Sequence, residues 1–294
     1  MKALRYIGDE TALAPAIELA TRAGFELSAD AVCCLASLDH PIDALNELCT
    51  AARPENIIWI AGRSPVPYDW LAAQHVLHRL ASVDTEERLR DLQIILHTMH
   101  APGAWMPELH FEPGRDTAAL TLTSSSAKQD ALDEVDRFFT GRPNLPPVRR
   151  SQLVQISDEL FTNALFNAPV DDSGAHQFRA LDRREHAELA PGRSVDISLW
   201  ADEDRFGVAV RDPFGSLAAD RVTTSLARGF RRGDDQISTT GGGAGLGLFT
   251  VYRASSHLTA AVVRGRSTQI LAVLDTPSKR FAAVRGLNAF WTDV

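Results

Sequence analysis

Basic residues are the minority among the charges: 30 Lys and Arg against 38 Asp and Glu leave a net charge of −8 on 294 residues. Proteins that hold nucleic acid or an anionic bilayer by electrostatics need a basic footprint, so this balance argues against both partners. Long apolar runs are also missing. None approaches the roughly 20 residues that cross a bilayer, and the opening stretch MKALRYIGDE has no apolar signal core. A cytoplasmic protein without membrane insertion is expected. Cysteine is scarce: Cys33, Cys34 and Cys49 make up the whole count of 3, and the first two lie in an apolar run without metal-ligand spacing. Buried free thiols in a reducing compartment are expected rather than a disulfide framework or a metal site.

What is present fits a globular chain of two domains, with 45% hydrophobic and 23% charged residues. Through residue 103, short apolar runs alternate with amphipathic segments. ALRYIG, FELSA, AVCCLAS, NIIWIAG and VLHRLAS have strand length, and NIIWIAG is nearly continuous in apolar β-formers. LAPAIELATRAG, PIDALNELCTAARPE, YDWLAAQH and TEERLRDLQIILHTM carry helical periods, with Gly24 as a C-terminal stop and Pro41 near a start. This alternation predicts an α/β domain over residues 1–103 with a doubly wound parallel sheet. Residues 104–116 fall in a stretch rich in proline and glycine and read as a linker. His97 and His100, just before it, read as part of a solvated helix.

Residues 117–294 predict a second α/β domain. TAALTLTSS reads as a strand, AKQDALDEVDRFF as an amphipathic helix and GRPNLPPVRR as a loop, with Pro147 close to the start of the next helix. In that helix Glu159, Asn163 and Asn167 recur every four residues along one face, while Leu153, Ile156, Leu160 and Ala164 line an apolar stripe. Residues 171–192 are polar and weakly patterned, a loop or small insertion in which no chemistry attaches to His176 or His186. VDISLWA and FGVAVRD alternate as an antiparallel strand pair, and the second runs into Asp212-Pro213-Phe214-Gly215. A carboxylate at a strand end can accept a hydrogen bond from an exocyclic amine such as that of adenine. RVTTSLARGFRRGDDQISTT reads as a polar, mobile loop, basic in its middle at Arg228, Arg231 and Arg232. It leads into GGGAGLGLFTVYR, where Gly241, Gly242, Gly243, Gly245 and Gly247 precede or open an apolar helix. Bare backbone N–H groups and the helix dipole favour an anion there. LTAAVVRGRSTQILAVLD reads as a two-stranded hairpin.

The order and length of residues 1–103 resemble the receiver domain of bacterial response regulators, with Asp9 and Glu10 looking like that family's magnesium-holding acidic pair. The phospho-accepting position falls on Leu35, with Asp39 four residues late. The family's hydroxyl position falls near Ala61 and Gly62 and its lysine near Ala81. The resemblance therefore implies a degenerate receiver that takes no phosphate, because the groups that stabilise an acyl phosphate are missing.

From Thr117 to Pro277 the ordered motifs resemble the GHKL ATP-binding fold of gyrase, histidine kinases and anti-sigma-factor serine kinases, closest to the last. The Asp-Glu-Leu-x-x-Asn-Ala pattern from Asp158 to Ala164 looks like the N-box, which implies Glu159 as general base and Asn163 as the Mg2+ ligand. VRDPFG looks like the first glycine box, implying Asp212 as the adenine contact with Gly215 beside it. GGGAGLGL looks like the second, implying Gly243, Gly245 and Gly247 around the phosphates. Thr268 resembles the late hydroxyl near the adenine-binding aspartate, and Asn167 is left without assigned chemistry. Phe214 departs from the pattern, since the family usually has glycine there. The absence of a phospho-accepting helical hairpin argues against a histidine kinase. The implied protein is a cytoplasmic bacterial signalling regulator that binds ATP and Mg2+ in an α/β sandwich of the GHKL type. It acts on a protein partner, either as a serine/threonine kinase of the anti-sigma-factor type or as a non-catalytic interaction module whose nucleotide state sets its shape. A homodimer is compatible with both.

Overall fold

The computed structural model describes residues 2–7, 10–28, 31, 33–38, 42–51, 53, 56–60, 68–74, 76–80, 83, 86–101, 105–230, 246–276 and 286–292. The chain divides into two compact units, one of Met1–His110 with Ala282–Phe290 and one of Phe111–Phe281 with Trp291–Val294. Both are mixed α/β. The break lies inside the stretch 104–116, while residues 282–290, assigned to the second region from sequence, group with the first unit.

The first unit runs β1 (Lys2–Ile7), α1 (Glu10–Arg22), β2 (Phe25–Leu27), β3 (Cys33–Ser37), α2 (Ile42–Ala51), β4 (Ile57–Ile60), α3 (Tyr68–Ala73), β5 (His78–Leu80) and α4 (Glu86–His100). These strands lie in the order β2-β1-β3-β4-β5 and pair in parallel. Successive strand residues point to opposite faces. Cys33, Leu35, Ile58 and Ile60 join Leu13 and Ala16 of α1 and Leu92 and Ile95 of α4 in one core. Cys34, Ala36, Ile57 and Trp59 join Leu45 and Leu48 of α2 and Leu71 of α3 in another. Burial on both faces is why these strands read as apolar runs without polar alternation.

Leu35, at the position matched to a phospho-accepting aspartate, is fully buried. Asp9, Asp39, Ala61, Gly62 and Ala81 lie outside the described residues, as does the Glu10 side chain. The three cysteines are free thiols. Burial pushes Cys33 up to about 12 and raises Cys34 and Cys49 as well, so none is poised to react as a thiolate. His97 and His100 are exposed on α4. The proline- and glycine-rich stretch after α4 contains a short 3-10 helix, Pro107–His110, with Trp105 and His110 buried. His110 Nδ1 lies 3.1 Å from Asp91 Oδ1, and Trp105 Nε1 donates to His110 Nε2 at 3.4 Å. Among the described residues no helix is long and apolar enough to cross a membrane.

The second unit runs β6 (Asp116–Leu122), α5 (Lys128–Phe139), α6 (Pro147–Thr162), β7 (Val195–Ala201), β8 (Arg205–Asp212), α7 (Ala219–Phe230), α8 (Gly247–Ala254), β9 (His257–Val263) and β10 (Ser267–Asp275). The strands form an antiparallel sheet in the order β9-β10-β8-β7-β6. Leu153, Ile156, Leu160 and Ala164 are buried as their spacing predicts, and so are Phe161 and Leu165, so α6 is enclosed on more than one side. Residues 221–230 correct the sequence reading, which made them part of a mobile loop: they lie in α7. Val222 and Leu226, one turn apart, are buried together with Thr223, Ser225 and Ala227. The apolar stripe is carried by small side chains, and a β-Cβ on Gly229 would fall 2.1 Å from Phe249 Cγ of α8.

A last strand, β11 (Gly286–Thr292), pairs antiparallel with β5, setting Asn288 opposite His78 and Leu287 opposite Arg79. His78 is buried beside Phe290, ring centroids 4.8 Å apart. Burial holds its pKa down at about 4, against an opposing hydrogen bond with Asn288. The native state therefore binds fewer protons than the unfolded chain between about pH 6.5 and 4. The stability due to neutral His78 is present above pH 6.5 and is lost as the pH falls through 4, by about 3 kcal/mol. Urea denaturation at pH 7 and at pH 4.5 is expected to show this loss in the wild type and a smaller one in His78→Gln; equal slopes in the two proteins would contradict it.

Candidate functional site

The site is organised on α6. Pro147 occupies the first helical turn, where no intrahelical N–H is needed, and the helix then runs unbroken to Thr162. Residues Asn163–Asn167 continue it as one π-helical turn, closed by Ala168 N donating to Asn163 O at 2.9 Å. Such wide turns recur at functional sites because they re-aim side chains. Within this one, Asn167 Nδ2 donates to Asn163 Oδ1 at 2.8 Å. That bond gives Asn167 a role, since it orients the Asn163 carboxamide. Asn163 Nδ2 is buried and has no hydrogen-bond partner, an arrangement that costs free energy unless another group meets it.

Glu159 lies one turn back and is partly buried. Burial raises its pKa, the charge of Arg183 opposes this, Asp158 adds to it and Lys128 opposes. Lys128, the first residue of α5, was not a sequence candidate. Its Nζ donates to Asp158 Oδ1 and to Thr162 Oγ1, both at 2.6 Å, so it fixes the polar edge of α6. A lone lysine at a helix start carries no spacing signal.

Gly247 opens α8 directly against this edge. A Cβ there would lie 2.7 Å from Glu159 Oε2, 3.4 Å from Asn163 Nδ2 and 3.6 Å from Asn163 Oδ1. Three sequence-predicted residues therefore converge, and the glycine is what lets the amino end of α8, with its unpaired N–H groups, approach a carboxylate and a carboxamide. Gly243 and Gly245 lie outside the described residues, as do Arg231 and Arg232.

The second half of the site is the turn after β8. Asp212 is buried, and its Oδ1 accepts from Phe214 N at 2.9 Å and Gly215 N at 3.4 Å. Burial pushes its pKa up to about 6, against those two N–H groups and Thr268. Thr268 stands directly opposite in the β8–β10 ladder. Its buried hydroxyl bears on the Asp212 carboxylate and helps hold that carboxyl down against burial. Gly215 has φ +60° and is packed onto the β9–β10 turn, so it seats Asp212 rather than opening space beside it. The buried Phe214 ring lies 5.5 Å beneath the Arg193 guanidinium, which also donates to Pro213 O at 2.6 Å. Ser216 Oγ donates to Ala168 O at 2.7 Å, fastening this turn to the end of the π-helical turn. This hydrogen bond, which neither motif announces, ties the two halves of the site to each other.

Among the described residues no group of three or more His, Cys, Asp or Glu is arranged to hold a metal ion. A cation at Asn163 Oδ1 would need oxygens from a bound ligand to complete its shell, which suits Mg2+ better than a metal caged by protein alone. The chain matches none of the protein-family models and none of the curated proteins it was compared with.

Proposed function

We propose that the second unit is a Mg-ATP-binding module of the GHKL type, and that the protein is a bacterial signalling regulator acting on a protein partner as a serine/threonine kinase. The observation that carries this reading is the convergence of Glu159, Asn163 and Gly247, with a glycine where any side chain would displace the carboxylate. The unpartnered Asn163 Nδ2 supports it, because it is a buried polar atom of the kind a ligand satisfies. Asn163 Oδ1, oriented by Asn167, holds Mg2+, and the amino end of α8 faces the phosphates. Asp212 accepts from the adenine amine. ATP supplies a transferable phosphoryl group. Glu159, its basicity raised by burial, takes the proton from the partner's hydroxyl. The first unit, with Leu35 where a phospho-acceptor would stand, serves as a docking domain.

The buried Phe214 favours a second reading, a module that binds nucleotide without turnover, since a phenyl ring replaces the usual glycine beside Asp212. Calorimetric titration with ATP and Mg2+ tests both. Saturable binding is expected, weakened about tenfold or more by Gly247→Ala, and made independent of Mg2+ by Asn163→Ala. No heat and no thermal stabilisation at millimolar ATP would sink the nucleotide reading. Binding without phosphoryl transfer to any partner would leave the second.

A further inference from the structure

Gly215, Ser216 and Leu217 leave the Asp212 turn as three successive residues in neither helix nor strand, and each is fastened to a different part of the chain. Gly215 O accepts from Gly265 N of the β9–β10 turn at 3.2 Å. Ser216 Oγ donates to Ala168 O at 2.7 Å. Leu217 O accepts from Trp291 Nε1 at 3.1 Å, across 74 residues of sequence. The first two anchors sit in or beside the glycine and asparagine motifs. The third belongs to no motif.

Trp291 and Thr292 end β11 and group with the second unit. Their main chain is held independently of the indole, because Arg264 N donates to Thr292 O at 3.0 Å. Arg264 directly precedes Gly265, whose N–H holds Gly215. The bonds therefore close a ring: Thr292 to Arg264, Gly265 to Gly215, and Leu217 back to Trp291. Trp291 is only partly buried, so water would satisfy its N–H as well as a carbonyl does. Its use on a main-chain carbonyl of this segment is a constraint on position rather than a rescue of a buried donor.

Asp212 Oδ1 is seated by the N–H groups of Phe214 and Gly215, so the carboxyl is placed no better than the residues that follow it. One end of that segment is fixed in β8. The other must be fixed before α7, or the turn samples conformations in which those two donors point elsewhere. A loop held in its binding conformation spares the ligand the entropy of ordering it. We infer that Trp291 is a positioning residue of the nucleotide site, clamping Leu217 and so holding the Asp212–Gly215 turn in the form that presents the carboxylate. The role rests on the reading of Asp212 as the adenine contact. It makes the end of β11 part of that site.

Trp291→Phe removes the N–H and keeps an aromatic ring. Phe206→Leu, a core change at the far end of β8 beside Phe139, supplies a destabilised control outside the ring of bonds. Amide hydrogen exchange of the full chain without nucleotide reads the clamp directly. Exchange at Phe214 and Gly215, relative to the amides of β8, is expected to quicken about threefold to tenfold in Trp291→Phe and to keep the wild-type ratio in Phe206→Leu. Carboxyl NMR should show the Asp212 titration move from about 6 toward the ordinary aspartate range in Trp291→Phe alone, as water reaches the loosened turn. Calorimetric ATP affinity in the presence of Mg2+ should fall about threefold to tenfold in Trp291→Phe and hold in Phe206→Leu. Wild-type exchange ratios with an unmoved Asp212 titration would overturn the proposal, and so would a loosened turn with unchanged ATP affinity. If the wild type binds no ATP while the turn loosens in Trp291→Phe, the nucleotide reading has failed and the clamp has not.

Discussion

Gly215→Ala is expected to destabilise the second unit by about 3 to 5 kcal/mol. Two costs combine. The residue has φ +60°, where an L side chain is strained, and the added Cβ would lie 2.2 Å from Val263 O, 2.7 Å from Arg266 N and 2.7 Å from Gly265 N. All three are backbone atoms of the β9–β10 turn, so no rotamer change can relieve the overlap. Gly265→Ala supplies the control. Gly265 has φ +68° and nothing within 4 Å of its Cβ position, so it should lose only the conformational cost of about 1 to 2 kcal/mol. Urea unfolding of the two variants checks this; equal losses would show that the contact does not matter. The comparison also separates two roles for a glycine in a motif, since Gly215 fixes where Asp212 sits and touches the carboxylate only through its N–H.

Asp212→Asn is expected to move stability and binding in opposite directions. With a native pKa of about 6 against an ordinary 3.8, the native state binds more protons than the unfolded chain between those values. The stability contributed by protonated Asp212 is fully present below pH 3.8 and is lost as the pH rises through 6, roughly 3 kcal/mol in all. At neutral pH the protein therefore carries a destabilising buried charge. Asparagine keeps an acceptor for Phe214 N and Gly215 N without that charge, so its unfolding midpoint at pH 7.5 should equal or exceed that of the wild type. Nucleotide affinity, on the proposed reading, should fall about tenfold or more. In the wild type, affinity should also weaken as the pH drops through 6, because an amine donor is met by the ionised carboxyl; the asparagine variant should lose that dependence. A variant that is less stable and binds ATP normally would assign Asp212 a purely architectural role.

The first unit was legible in the sequence because both faces of its sheet are buried. Ile57 to Ile60 has no polar alternation to blur the strand, and helices of three or four turns close on Gly24 or open near Pro41. In the second unit the periodic core of α6 and the Asp-Pro-Phe-Gly turn were legible for the same reason, and Glu159, Asn163 and Gly247 do converge. Less could be read where packing depends on small side chains or on distant segments. Helix α7 was hidden because Thr, Ser and Gly fill its buried face and only Val222 and Leu226 are large and apolar. Strand β11 pairs with β5 across most of the chain, a contact no local pattern encodes.

The grouping of residues 282–290 with Met1–His110 makes the first unit discontinuous along the chain. During vectorial synthesis, the strand that covers β5 reaches the solvent about 180 residues after α4 is complete, roughly 10 to 35 s at ordinary elongation rates. Through that interval β5 is a bare sheet edge of the sort that invites pairing with foreign strands, and His78 lacks the cover that keeps it neutral. A fragment ending at His110 is in the same condition permanently, so the first unit is best produced and studied within the whole polypeptide.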